Sequence, residues 1–363
     1  MQCVDVAVVG AGAMGSATAW WLARRGHEVV LLERFEQGHC NGSSHGGSRI
    51  FRFAYEEPDY ARLAVEALPL WRELEDESGR TLVEITGGVD HGRPEAVDRI
   101  VASLAAVGAS AERLHPDAAA ERFPGMRFDR AVVYSPDTGR CLADLAVRTL
   151  QERAGALGAQ VRFSAGAVAI DPHADHVVVH VPDDESWRAR VAVVTVGGWA
   201  EPVLGGSRRH GMPPLLVTEE VISHFTPRDS NRKWPSFIHY GDGFDAYGLR
   251  TPGEGVKVGG HHEGKVVGAD DRTFELDPAR VAQTVAYVET WLPGLDPTPH
   301  HGATCLYTTT PTQDFVLDRV GPLVIGSACS GHGFKFTPVV GRILADLAEG
   351  VPSPLPRFHL SDS

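Results

Sequence analysis

Disulfide and zinc chemistry find little material in this chain. Its 363 residues include only five cysteines, an odd and scattered set (Cys3, Cys40, Cys141, Cys305, Cys329) without a C-x-x-C pair, so each is read as a reduced thiol. The histidine pairs His261-His262 and His300-His301 lack helical spacing and nearby carboxylates in a recognisable pattern, and no metal site is expected. No apolar run approaches the ~18 residues of a membrane span, and the N-terminus has no basic leader region, which predicts a cytoplasmic protein with no membrane partner. Basic clusters are missing too. With 34 Lys and Arg against 47 Asp and Glu, a net charge of −13 argues against nucleic acid and anionic lipid as partners. There is no internal repeat and no low-complexity linker, and 40 glycines with 24 prolines point to many turns, not to disorder.

What is there is an ordinary enzyme composition at a length that favours two domains around one site. Residues 4–34 read as strand, turn, helix, strand. Val6, Val8 and Val9 form a β-branched run, Gly10, Gly12 and Gly15 make a G-x-G-x-x-G turn, and helix-period apolar positions follow until Gly26. Glu33 closes the second strand. Glycines let the backbone approach a pyrophosphate, the helix start supplies free N–H groups, and the acid can accept from ribose hydroxyls while opposing a 2′-phosphate. That order predicts dinucleotide binding, and not NADP. A helix with Leu63, Ala67, Trp71 and Leu74 on one face starts near Pro58 and is expected to bend at Pro69. A strand–turn pattern follows over 82–92, then a helix and strands over 141–170, and a buried strand ending in a glycine turn over 189–204. Residues 213–315 lose the alternating rhythm and read as mostly β with one helix near 278–292, before strand, glycine loop and helix return over 322–350.

One thiol stands apart. In TCLYTTTP, Cys305 sits among hydroxyl-bearing residues, where it could be a small buried hydrophobe, a nucleophile, a metal ligand or an anchor. Cys3, Cys141 and Cys329 fit inert buried thiols. Arg49 and Arg52 interrupt an apolar, strand-like run with Ile50, Phe51 and Phe53, and Lys335 lies between Phe334 and Phe336, which favours a task over ordinary surface charge. Lys257, between Val256 and Val258, is compatible with a strand lysine facing solvent.

Taken together, the nucleotide turn, SSHGGSRIFRFAY, GVKVGGHH, CLYTTTP and GSACSGHGFKF resemble the amine-oxidising flavoproteins of the D-amino-acid-oxidase superfamily, in particular the monomeric sarcosine oxidase and N-methyltryptophan oxidase family, across nearly the whole chain. The resemblance implies an α/β (α+β) fold: a Rossmann-like FAD-binding domain (1–83, 141–212 and 316–363) interrupted by a mainly antiparallel β-sheet substrate domain (84–140 and 213–315). It implies FAD, held by Gly10, Gly12, Gly15, Glu33, Arg34, Ser43, Ser44, Val168, Gly198, Trp199 and Gly333, and covalently joined as the 8α-S-cysteinyl derivative through Cys305. Arg52 and Lys335 match a pair that clamps the substrate carboxylate, a planar fork beside a compact charge. Ser48 and the Gly331 carbonyl match further substrate contacts; Lys257 matches an oxygen-activating lysine; His45 and Arg49 match groups beside the flavin ring; Tyr247 and His261 match residues lining the substrate side, with His262 an alternative by a small shift in register.

Three departures touch the pocket: a shorter YEEPDY loop, Ser48 where threonine is usual, and a deletion between Tyr247 and Lys257. The reaction implied is oxidation of a secondary-amine amino acid, either an N-methyl amino acid or a cyclic imino acid, by hydride transfer to FAD and then reaction with O₂ to give H₂O₂. A monomer is expected. The alternatives are a flavin dehydrogenase using another acceptor, an NAD-dependent dehydrogenase resting on the N-terminal turn alone, and a non-catalytic flavin-binding subunit, which has no reason to keep Arg52, Lys257, Cys305 and Lys335 together.

Overall fold

A computed structural model describes residues 1–206 and 210–360. Its first layer is an eight-stranded sheet. The β-branched run Gln2–Val9 lies at the centre, parallel to Val29–Leu32 on one side and Ser186–Val194 on the other. Gln160–Arg162 extends it in parallel beyond Val29–Leu32, and Leu323–Ser327 beyond Ser186–Val194. Antiparallel strands Val316–Val320, Val177–His180 and Ala169–Pro172 finish the edges. Side chains of the central strands are buried on both faces, which is why these segments read as continuous apolar runs.

Helices Ala13–Arg24, Pro58–Ser78, Ala143–Ala156 and Thr337–Ala348 pack around this sheet into the largest core, in which Trp20, Trp71, Phe51 and Phe336 are fully buried. Close approach depends on two glycines. A Cβ on Gly15 would collide with Gly10 O, and one on Gly341 would meet Ala17 in the facing helix, so the first helix starts tight on the strand end and lies tight on the last helix. The helix Pro58–Ser78 runs through Pro69 and buries the expected stripe of Leu63, Ala67, Trp71 and Leu74.

The second layer is a nine-stranded sheet, antiparallel except where Gly88–Gly92 runs parallel to Ser236–Tyr240. Leu216–Pro227 pairs with the 15-residue strand Leu295–Thr309 and with Gly255–Gly260, which pairs in turn with Ala246–Thr251. One helix, Pro278–Trp291, covers its far side around Phe225, Phe237 and Val288. A small antiparallel sheet of Arg49–Phe51, Gly139–Cys141 and Val83–Ile85 lies beside these layers and positions Arg49 and the chain leading to Arg52. Among the described residues no helix is long and apolar enough to cross a membrane.

Candidate active site

A cavity of about 980 Å³ runs from the Gly10 turn to the near face of the second sheet, at the top of the range typical of ligand pockets. At its nucleotide end Gly10 takes φ +95°, and Gly12 caps the helix Ala13–Arg24. Ala13 N donates to Ser44 Oγ at 3.0 Å. Glu33, 6% exposed, accepts from Ala11 N at 2.8 Å and Phe35 N at 3.1 Å. Burial would raise its pKa, but His39 and these two backbone donors bring it below the ordinary carboxylate value, so Glu33 stays a pure acceptor. Arg34 and Trp199 both bond Asp270 Oδ1 at 2.8 Å, and Gly198 lines the wall beside them.

Two expected cofactor contacts lie elsewhere. Gly15 is set behind the wall, where its lack of a side chain serves helix-to-strand packing. Val168 is 68% exposed and its N–H is committed to His180 O; Gly166 and Ala167 line the cavity in its place. The residues present fit a flavin dinucleotide in other respects. Glycine turn, helix start and ribose acceptor occur together, and His45 Nε2 is buried in the wall without a protein hydrogen-bond partner among the described residues, as expected of a group that faces a polar ligand.

The loop 43–49 is folded around Arg49, whose guanidinium donates to the carbonyls of Ser43 (2.9 Å), His45 (2.5 Å) and Ser48 (2.9 Å). Lys257 is 6% exposed at the centre of the second sheet, between His224 and Leu249, and Nζ donates to Ser48 O at 2.5 Å. It is a buried lysine, not a solvated strand lysine. Ser48 Oγ bonds Thr251 Oγ1 at 2.6 Å outside the cavity, so its side chain is a strut and not a substrate contact. Cys305 lines the cavity, as do Cys40 and Cys329. Cys141 is buried and Cys3 is exposed, so of the three thiols expected to be inert core residues only Cys141 has that environment.

At the far end Arg52, Tyr55, Tyr240, His261, Tyr247, Gly331 and Lys335 line one recess, with Gly333 nearby. Lys335, 5% exposed, donates to Tyr55 Oη at 2.7 Å and His332 O at 2.6 Å, and the Arg52 guanidinium carbon stands 4.6 Å from the Tyr55 ring centre. His261 lines the recess, whereas His262, at φ 59°, does not. Gly331 takes φ +75°, and a Cβ there would strike the Tyr307 ring.

Sequence reasoning missed the partner of Arg52. Nη1 donates to Asp90 Oδ1 at 2.8 Å, to Tyr240 Oη at 3.1 Å and to Ala54 O. In the sequence Asp90 is only a carboxylate within a strand–turn pattern; the structure shows every residue of Gly88–Gly92 buried. Tyr307 and Arg272 were also missed. Arg272, 8% exposed, donates to the carbonyls of Cys40 and Thr304 and lies 3.6 Å from Glu219.

The electrostatics have one theme. Burial, then Arg49, push His45 down to about 3, and burial, then His262, push His261 down to about 3, so both imidazoles are neutral and poor bases. Burial and Arg49 lower Lys257 to about 7; burial and Arg52 hold Lys335 well below the ordinary lysine value. Burial opposes the Arg52 charge too, but Tyr240, Asp90 and Tyr55 hold it ionised. Mutually repelling cations in a dry recess are stabilised by an anion that contacts them. Among the described residues no group of three or more His, Cys, Asp or Glu could hold a metal ion.

A family model described as FAD dependent oxidoreductase (DAO) matches residues 5–347. The chain is 34% identical to the peroxisomal sarcosine oxidase of Homo sapiens, over 95% of this chain and 92% of that protein. It is 33% identical to the monomeric sarcosine oxidase of Streptomyces avermitilis, over 95% and 93%. Among solved structures, the open form of NikD, an unusual amino acid oxidase essential for nikkomycin biosynthesis, superimposes with a TM-score of 0.85 at 29% identity, covering 96% of this chain and 94% of that one.

Proposed function

The chain belongs to the FAD dependent oxidoreductase (DAO) family and is an FAD-dependent amine oxidoreductase, and from that premise we propose that it oxidises secondary-amine amino acids, an N-methyl amino acid or a cyclic imino acid, with O₂ as acceptor. The observation that carries the reading is the recess in which the Arg52 guanidinium lies over the Tyr55 ring and Lys335 bonds the Tyr55 hydroxyl. FAD, when bound, would supply the acceptor for the hydride leaving the carbon next to the amine and the donor of two electrons to O₂, with H₂O₂ as product.

The protein residues bind, orient and exclude water. Arg52 and Lys335 hold the carboxylate, His261, Tyr247 and the Gly331 carbonyl border the amine, and Arg49 and the ammonium form of Lys257 supply positive charge by the flavin ring, beside His45. The amine must be neutral, since its lone pair assists departure of the hydrogen, and no strong protein base is required; two imidazoles held near 3 agree with that. The imine is released to solvent and hydrolysed, or tautomerises if cyclic. Gly10, Gly12, Glu33, Arg34, Ser43, Ser44, Gly198, Trp199 and Gly333 are assigned to FAD, and Cys305 to its covalent attachment. The FAD-binding unit is read as 1–83, 141–212 and 316–363, and the substrate unit as 84–140 and 213–315, with 207–209 and 361–363 outside the described residues. Membership of the two large sheets supports that division, while the small sheet of Arg49–Phe51, Gly139–Cys141 and Val83–Ile85 joins the two units. A monomer located in the cytoplasm completes the reading.

The test is loss of discrimination. Each charge-assisted contact to the carboxylate is worth about 1.5–3 kcal/mol, or about tenfold to over a hundredfold in affinity. Lys335→Met is therefore expected to weaken an N-methyl amino acid by that factor while leaving the matching amine without a carboxylate nearly unchanged. Arg52→Ala should show the same selectivity but also unfold more easily, because it leaves Asp90 buried without its partner. Steady-state kinetics on both substrate classes decide it: variants that bind the amino acid as wild type does would place the carboxylate elsewhere.

A further inference from the structure

Asp90 occupies the middle of the buried strand Gly88–Gly92 and is 1% exposed. Along that strand Val89 and His91 face away from the recess, into a layer where the His91 ring stacks on His239 with centroids 4.1 Å apart. Asp90 faces the other way, behind Arg52, and does not itself line the cavity. Its carboxylate meets Arg52 Nη1 at 2.8 Å and Tyr240 Oη at 3.4 Å. The other charged or titratable groups on this side are Tyr55, beneath the Arg52 guanidinium, and Lys335, bonded to Tyr55 Oη; His261 and His332, both kept neutral by burial; Arg93, 5.9 Å from the Tyr240 ring centre; and Glu56 and Glu57, which act on Tyr240 and Tyr55. All hydrogen bonds from the guanidinium among the described residues leave through Nη1, so Asp90, Tyr240 and Ala54 hold one arm and leave the rest of the fork to the recess.

We propose that Asp90 is the positioning residue of the substrate clamp, a buried counter-ion that aims Arg52 and competes with the incoming carboxylate for it, so that the site takes up a proton together with its carboxylate ligand. The inference rests on the carboxylate-clamp reading above. Two anions sharing one guanidinium in a desolvated space repel, and the anion that can escape by protonation is the one already buried. Burial lifts Asp90 to about 6 against the pull of Arg52, so in the free protein it is mostly ionised near neutral pH and within reach of protonation. A bound carboxylate pushes it higher still. The sign follows: carboxylate affinity is greatest below about 6, where Asp90 is already neutral, and declines as pH rises until Asp90 is ionised in the complex as well. In the empty clamp the same charge offsets the repulsion between Arg52 and Lys335.

The experiment uses the flavin-loaded enzyme and methylthioacetate, a non-oxidisable thioether carboxylate, with binding read from the flavin absorbance between pH about 5.5 and about 8.5. Calorimetry in buffers of different ionisation enthalpy counts protons. Wild type is expected to take up a substantial fraction of one proton near pH 7. Its dissociation constant should rise with pH by up to about tenfold per unit where uptake is complete. Asp90→Asn keeps a hydrogen-bond acceptor for Arg52 but removes the charge; it is expected to lose that uptake and, at pH about 8, to bind methylthioacetate about tenfold or more tightly than wild type. A purely structural role gives weaker binding or none of these changes. Burial and Arg52 hold Lys335 well below the ordinary lysine value as well, so Lys335→Met is the control that should keep the uptake if it belongs to Asp90. If wild type binds the analogue without proton uptake, or Asp90→Asn keeps the wild-type pH profile and affinity, the Asp90 role falls and the clamp stands. If wild type does not bind the analogue at all, both fall. Should Asp90→Asn not accumulate as yellow protein, the wild-type and Lys335→Met proton counts decide alone.

Discussion

In Cys305→Ala the yellow chromophore is expected to pass into the supernatant on acid precipitation, whereas in wild type it should stay with the polypeptide. The effect is all or none, because a thioether survives denaturation and non-covalent contacts do not. Cys305 is carried on the long strand Leu295–Thr309 opposite Glu220, and its position in the cavity wall is set by that pairing. Burial raises its pKa and Glu220 adds to the rise, while Arg49 and Lys257 oppose it. Two other thiols line the same cavity and make the control necessary. Cys329 Sγ lies 3.9 Å from Ser43 Oγ and is within reach of the Thr308 N–H, and Cys40 is exposed. Cys329→Ala and Cys40→Ala should both retain the chromophore, and the flavin-bearing tryptic peptide should contain Cys305. Flavin in the wild-type supernatant ends the claim of attachment; flavin on another peptide moves it.

Much of this arrangement was legible in the sequence, because it is encoded by local rules. The turn at Gly10 to Gly15 carries its own geometry, the segment 278–292 has one buried helical stripe, and the two apolar runs at 189–194 and 323–327 are parallel central strands. Less obvious elements left weaker marks. The helix Pro94–Ala106 has proline at its first turn and Ala96, Val97, Ile100 and Leu104 on one face, a short stripe beyond the strand–turn pattern of 82–92. What could not be read locally is pairing across the fold. Nothing near Arg52 in the chain indicates Asp90 or Tyr240, since their meeting depends on the parallel register of Gly88–Gly92 with Ser236–Tyr240. Ser48 shows the same limit in reverse: the next residue, Arg49, lines the cavity, but Ser48, in the loop just before the strand Arg49–Phe51, turns its hydroxyl onto Thr251, a partner 203 residues away in the chain.

Lys257→Met is expected to slow reaction of the reduced enzyme with O₂ by about a hundredfold to a thousandfold, roughly what loss of one preorganised charge costs in a dry site, while anaerobic reduction by substrate stays within a few-fold of wild type. The asymmetry follows from where Lys257 stands. From the second sheet, with His224 and Leu249 as cross-strand neighbours, it donates to Ser48 O, and among the described residues it has no side-chain hydrogen bond to Arg52 or Lys335. Its pKa of about 7, lowered by burial and then by Arg49, supplies a second signature. Only the ammonium form can stabilise negative charge developing on O₂, so the wild-type rate should be highest below about 7 and fall as pH rises through that value, and the Met variant should show no such step. The same depression bears on folding. Because the charged form is disfavoured in the folded state, the lysine weakens stability increasingly as pH drops from its ordinary value toward about 7, and Met in its place should leave the protein no less stable. A slow variant is then slow for want of charge and not for want of structure. Rapid-mixing measurements of the two half-reactions across pH settle it: equal slowing of both, or an unchanged pH profile in the variant, would remove Lys257 from the oxygen reaction.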